Sequence, residues 1–380
     1  MINVKDFGAV GDGVTDDRAA IQAALDAGGW VYIPEGTYAL VSGLLRINAR
    51  TRLTLSPGAT ILRKQTDGLI TNEAESQPGA YNGNGSIVIE GGIWDANADE
   101  VPAAASAMGI CHATNVTIRD LAIWDVSGYH AIELNSMNDV LLDNCKFRGF
   151  YDPGDRNFSE AVQIDAAIDE TTGFAPYDGT VCDDIEVRSC WAGPSATKGM
   201  QSWPRLVGTH SVPATWHRNI RVHDNYAQAP TWAAIRPYWW DRAIIQGNQI
   251  MSAAWYGIAV QNSSRYVEVH GNQVFDSGRD GILVSDDCTQ INVRDNDVIG
   301  AGQAANNTYG GIHVKDANIV RLANNTVRKR ASGNNAKYGL WIESGVSGIQ
   351  RYGNDLRYSG VSGSVSDAST SPITSAGDAA

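Results

Sequence analysis

Glu133, Glu160, Asp165, His210 and Arg236 are the residues of this 380-residue chain whose types and spacing could do chemistry. Acid/base cleavage of a glycosidic bond needs two carboxyl groups a few ångströms apart. One protonates the leaving oxygen while the other acts as base or nucleophile. Glu133 and Asp165 supply such a pair, with Glu160 as a further acid. A neighbouring carboxylate and desolvation would raise the pKa of the acid. His210 beside Asp165 would have its cationic form favoured. Arg236 can grip a carboxylate bidentately, which opens a second route: β-elimination from a uronate, with His210 or Tyr238 as base. Trp203, Tyr238, Trp239 and Trp240 offer faces for sugar stacking, and Gln163 and Asn135 offer hydrogen bonds to substrate. The competing reading is an ordinary polar face, since neighbouring Glu–Arg or Asp–His pairs on a surface contribute about 1 kcal/mol or less.

A repeat must position these residues. Between Ile220 and Leu356 one phrase recurs: alternating apolar residues, two polar ones, an Asn, and another apolar residue. Its copies are Ile220–Ala227, Val267–Val274, Ile291–Val298 and Val320–Val327, with weaker ones around Asn248 and Asn354. A period of roughly 24 to 29 residues is that of a solenoid. Period-two alternation makes each phrase a strand with one buried face. The Asn falls where the strand turns, so Asn225, Asn248, Asn272, Asn296 and Asn325 should stack as an internal ladder. A second strand follows in each coil, as in Gly257–Val260, Gly281–Val284, Gly311–Val314 and Gly339–Ile342. The pattern predicts an all-β, right-handed parallel β-helix. Stacking the second strands gives one outward column of Cys111, Glu133, Gln163, Gly208, Arg236, Ala259, Leu283, His313 and Trp341. Two residues on, a second column reads Ala113, Asn135, Asp165, His210, Tyr238, Gln261, Ser285, Lys315 and Glu343. Coils about 4.8 Å apart would bring Glu133, Asp165, His210 and Arg236 onto one face. His313 and Lys315 read as solvated face.

Composition fits this reading. The chain is 43% hydrophobic, enough for a long core, and its 40 Gly suit a protein made of turns. A net charge of -13 disfavours nucleic acid and anionic membranes as partners. The opening Met1–Asp6 lacks the apolar run of a secretory leader, and no stretch is apolar enough to span a membrane. Five Cys without metal-type spacing read as buried thiols; Cys145 and Cys190 take the ladder position in earlier coils. No cofactor is expected. Calcium at Asp183-Asp184 or Asp286-Asp287 lacks a convergent ligand set in the sequence.

The N-terminus is specific. Asn3-Val4-Lys5-Asp6-Phe7-Gly8-Ala9 leads to Gly11-Asp12-Gly13-Val14-Thr15-Asp16-Asp17, with Thr15 as the expected cap of a helix whose apolar face is Ala20, Ile21, Ala24 and Leu25. Gly29–Tyr38 follows as a strand and turn. This opening, over about 65 residues, resembles the β-helix domain of the pectate-lyase superfamily, found in polysaccharide lyases, alginate epimerases and phage tailspikes. The resemblance implies that the helix caps the solenoid, that a polysaccharide is the substrate, and that the protein works outside the cell or on a virion, as a homotrimer if it is a tailspike. The epimerase Asp-Pro-His motif is missing after Ser127-Gly128-Tyr129, where His130-Ala131-Ile132-Glu133 stands instead. The expected organisation is one β-helix domain over residues 1–358, with 1–47 as its cap, and a flexible Ser/Gly/Ala-rich tail over 359–380. The expected function is glycan depolymerisation by hydrolysis or β-elimination. The alternative is a non-catalytic receptor-binding or structural fibre.

Overall fold

A computed structural model gives the protein's structure over residues 1–73, 78–168, 174–370 and 372–379. The chain expected to form one domain packs as two compact units, Met1–Trp203 and Pro204–Ala380. Each is a right-handed parallel β-helix whose coils contribute to three sheets. No helix among the described residues is long and apolar enough to cross a membrane.

In the first unit, the first sheet runs through Trp30–Ile33, Arg52–Leu55, Ile87–Glu90, Thr114–Arg119, Asn138–Asp143 and Asp183–Arg188. The third sheet holds Leu45–Arg46, Ile70–Thr71, Met108–Cys111, Ile132–Asn135 and Glu160–Asp165. The helix Arg18–Ala27 buries Ile21, Ala24 and Leu25 as the apolar spacing predicts. Its cap is Asp17, not Thr15. Thr15 is taken by Asp12, whose carboxylate accepts from the Thr15 amide (2.7 Å) and hydroxyl (2.8 Å). Asp17 turns back to accept from the amides of Val10 (2.5 Å) and Gly11 (3.1 Å), which ties the Gly/Asp loop to the helix start. Between Ala166 and Val181, a long loop by its lack of strand alternation in the sequence, residues 169–173 lie outside the described residues.

In the second unit the Asn row is present and longer than predicted. Asn225, Asn248, Asn272, Asn296 and Asn325 are buried. Each donates its amide nitrogen to the next oxygen at 2.9–3.0 Å, through Asn354 to Asp378. That oxygen also accepts the preceding backbone N–H, as in Asn248 N to Asn272 Oδ1 at 3.0 Å. The second amide proton goes to a carbonyl, as in Asn272 to Ile245 at 2.9 Å. Asp378 corrects the reading of residues 359–380. They carry the strands Gly363–Asp367 and Pro372–Ala376, paired with Tyr338–Ile342 and Ile349–Tyr352. Small residues suffice there because parallel pairing satisfies the backbone even where few apolar side chains are available.

After each Asn comes a third, short strand, such as Gln249–Met251, Gln273–Phe275 and Asp297–Ile299. Each buries one residue: Ile250, Val274 and Val298. Val274 and Val298 crowd the glycines at the start of the preceding third-sheet strands. A Cβ on Gly257 would stand 2.4 Å from Val274 and 2.6 Å from the Gly281 carbonyl, so the column Gly257, Gly281 and Gly311 has no room for a side chain.

Cys145 and Cys190 are free, buried and in one column, as the pairs Asp143↔Arg188 and Lys146↔Trp191 require. The Cys145 thiol is held well above its ordinary range, first by its contact with Cys190 and then by burial.

Asn272→Ala should strand the Asn248 amide and the Ile245 carbonyl and cost about 2–4 kcal/mol, read as a lower denaturant midpoint. Asp95, in the second sheet of the first unit, is pushed up to about 6, first by burial and then by Asp125, Asp99 and Glu100. A folded pKa above the unfolded one makes ionised Asp95 destabilising above that range, and the penalty disappears as pH falls below about 4. Asp95→Asn should therefore raise the melting temperature at pH 8 and leave it unchanged below about pH 4, by calorimetry across pH.

Candidate functional site

The first unit sets its candidate residues by register. Ile132↔Val162 and Leu134↔Ile164 point inward, which places Glu133 beside Gln163 and Asn135 beside Asp165 on the outer face. That face is covered. The chain after Asp165 folds back, with Asn135 Nδ2 donating to Ala166 O (3.1 Å) and Ser136 Oγ to Thr180 O (2.8 Å). Asn135, Gln163 and Asp165 are buried. Both oxygens of Asp165 are engaged: Oδ2 accepts from Gln163 (2.8 Å) and Oδ1 from the Ala166 amide (2.8 Å).

Glu160 is fully buried, with its carboxylate 3.6 Å from His130 Nδ1. That nitrogen also lies 3.1 Å from the Glu160 carbonyl. Extending the register two residues upstream aligns Ser106, His130 and Glu160 on successive coils. Glu133 alone of the three expected carboxyl groups is half-buried, and its Oε2 accepts from Ser106 Oγ at 2.6 Å. The Tyr129 ring packs near His130 and carries the Arg156 guanidinium 4.0 Å from its centre.

In the second unit the predicted column holds: Gly208 pairs with Arg236, Ala259 with Leu283, Leu283 with His313, and His313 with Trp341. Arg236 lies 4.2 Å over the Tyr238 ring and donates to Gln261 Oε1 at 3.0 Å. His210 is half-buried. A further row stands at the turn entering the third sheet. The Trp255 amide donates to Trp232 O (3.0 Å) and the Arg279 amide to Trp255 O (2.7 Å), so Trp232, Trp255 and Arg279 occupy one position on successive coils. The two indoles are 5.4 Å apart, and the Arg279 guanidinium stands 3.5 Å over Trp255. Among the described residues, that guanidinium makes no side-chain hydrogen bond or ion pair.

The model of the rhamnogalacturonase A/epimerase, pectate lyase-like family matches residues 1–226, and that of the right-handed β-helix region matches 216–356. The chain belongs to the rhamnogalacturonase A/epimerase, pectate lyase-like family. It is 31% identical over 285 residues to plasmin and fibronectin-binding protein A of Streptococcus pneumoniae, a match covering 65% of this chain and 39% of that protein. Among solved structures it resembles PfbA, a surface adhesin of Streptococcus pneumoniae, at a TM-score of 0.77 and 22% identity over 95% of this chain and 90% of that one. It also resembles the A-module of the Azotobacter vinelandii mannuronan C-5 epimerase AlgE4, at 0.64 and 16% over 100% and 99%. Both structural likenesses are statements about fold.

For this family member the predicted site divides between the units. Glu133, Glu160, Asp165, Gln163, Asn135 and Trp203 lie in the first, and His210, Arg236, Tyr238 and Trp240 in the second. Two expected stacking platforms are core residues. Trp203 is fully buried against Phe150, 5.0 Å between ring centres. Trp240 is fully buried and donates to Thr209 Oγ1 at 2.9 Å. Tyr238 is nearly buried. His313, read as solvated face, is instead buried between Asp280 Oδ1 (3.1 Å) and Glu343 Oε1 (3.0 Å). His130, Trp255 and Arg279 went unassigned because all three sit in turns, upstream of the strand positions that alternation indexes. Of the Asp pairs considered for calcium, Asp286 uses its Oδ2 to accept from Gln261 (2.9 Å) and Ser285 (3.0 Å).

Proposed function

We propose that this chain engages an acidic extracellular polysaccharide through the Trp232–Trp255–Arg279 row of its second unit. The Arg279 guanidinium carries the reading. Its face is occupied by Trp255, which fixes the plane, while its in-plane N–H donors lack a protein acceptor among the described residues. A planar fork held this way suits the carboxylate of a uronate or a sulfate ester. The indole edges beside it suit sugar rings. Such a cation in a chain of net charge -13 selects locally for anions that the molecule repels overall. Family membership supports a glycan as ligand, and the sequence likeness to plasmin and fibronectin-binding protein A supports a site of action outside the cell.

A second reading, glycan cleavage, rests on Glu133. It is the expected carboxylate with solvent access, it is held by Ser106, and Glu160 and His130 lie buried in the same coils. In this reading Glu133 is the general acid or base, Asp165 is a buried positioning residue, and hydrolysis and β-elimination remain the two routes.

Immobilised polygalacturonate, alginate and chondroitin sulfate, with dextran as neutral control, test the binding. At least one acidic polymer should be retained, with affinity falling as salt rises. Arg279→Ala should weaken it about tenfold, the loss of one charge-assisted contact. Retention unaffected by that change would remove Arg279 from the site. Cleavage is tested by following reducing ends together with the ultraviolet absorbance of unsaturated uronates. If Glu133 acts, Glu133→Gln should lower turnover about 100-fold or more while sparing binding. Absence of products with binding intact would leave the protein an adhesin-like binder.

A further inference from the structure

The third sheet of the second unit carries a second constellation, built on side chains other than those of the Trp232–Trp255–Arg279 row. The register His313↔Trp341↔Ser366 sets three side chains in one outward column. The Trp341 indole lies flat on His313, 4.4 Å between centres and 7° between planes. On the other side of the indole the column offers Ser366, whose side chain is too small to cover a bicyclic ring, and the Lys337 ammonium also stands over the indole. Trp341 is half-buried, and among the described residues its Nε1–H donates to no protein acceptor.

His313 cannot turn away. Its Nδ1 meets Asp280 Oδ1 and its Nε2 meets Glu343 Oε1, and only 6% of the residue is exposed. The imidazole therefore fixes the indole above it and one oxygen of Glu343 beside it. The Glu343 side chain remains 40% exposed, and among the described residues its second oxygen accepts no hydrogen bond. Tyr338 packs edge-on to Trp341 at 5.8 Å, and the Lys337 ammonium lies 5.1 Å from the indole centre.

We propose that Trp341, Glu343 and Ser366 form a subsite for one uncharged pyranose residue, with His313 as the positioning residue. The apolar C–H face of a pyranose stacks on an aromatic ring. A carboxylate oxygen only accepts, so the group facing Glu343 must donate, as a sugar hydroxyl does. A uronate carboxylate here would meet the exposed carboxylate of Glu343 at like charge, with the Lys337 ammonium over the indole as the opposing charge. The subsite thus calls for a hydrogen-bond donor where Arg279 calls for an acceptor. It rests on different residues and stands whether or not Arg279 binds an acidic chain.

Calorimetric titration of the full chain with maltohexaose, cellohexaose and mannohexaose, and with hexagalacturonate as the charged counterpart, tests this. At least one neutral hexaose should bind. Ser366→Trp, which fills the open side of the indole without removing a core group, should abolish that binding. Trp341→Ala should weaken it about tenfold or more. Trp341→Phe, which keeps a ring on His313, should fall between, and Glu343→Gln should weaken it several-fold. Arg279→Ala should leave it unchanged, which separates this subsite from the acidic-glycan face. The proposal is overturned if all three neutral hexaoses fail to bind the wild type. It is equally overturned if Ser366→Trp binds them like the wild type, if Arg279→Ala alone abolishes binding, or if hexagalacturonate is the ligand that Ser366→Trp excludes.

Discussion

A buried row of amides holds the second unit in register. Each inner Asn of the row donates twice to the next and accepts twice from the one before, linking coils side chain to side chain and side chain to backbone. Buried amides left without partners would cost more than the bonds gain, so the row is favourable only when every coil is in step. That all-or-none requirement is what places residues from distant parts of the chain in one column. His313, Trp341 and Ser366 are neighbours because the coils that carry them share the ladder. The first unit replaces Asn by Cys145 and Cys190 at the same position; these thiols contact backbone carbonyls but form no comparable chain of amides.

The outer face of the third sheet is where this regular scaffold is put to use, and the two units treat it differently. In the first, chain folded back over the sheet buries Asn135, Gln163 and Asp165, so polar residues that alternation points to solvent become an internal hydrogen-bonded layer. In the second, aromatic and cationic side chains stand on the face and in its entry turns. There a ring stack fixes the Arg279 guanidinium and a pair of carboxylates fixes His313. Both devices use one planar group to orient another while leaving its hydrogen-bonding edge or opposite side available.

The misreadings share a cause. Trp203 and Trp240 read as sugar platforms because aromatic faces suit sugar stacking, yet both fill the interior, and Trp240 satisfies its indole N–H on Thr209. The 359–380 stretch looked flexible because it is poor in large apolar residues, but its backbone pairs with the preceding coil and Asp378 closes the Asn row. Composition reports what a segment can bury and is silent on what its backbone can pair with.

By itself the sequence determined the coil. Two-residue alternation, the recurrent Asn and the small residue opening each later strand dictate parallel strands, a buried amide row and the outward column that the structure displays. These features are local and periodic, and each repeat reports them independently. The second-sheet strand of each coil was only half legible, because a strand with one buried residue has no alternation to read. What covers an outward residue was decided by tertiary structure alone. Burial of Asp165 depends on chain that folds back after it, and the clamp on His313 depends on a turn residue one coil before and the residue just past a strand one coil after. Such contacts join positions some 30 residues apart through loops of unequal length, so no fixed spacing in the sequence encodes them.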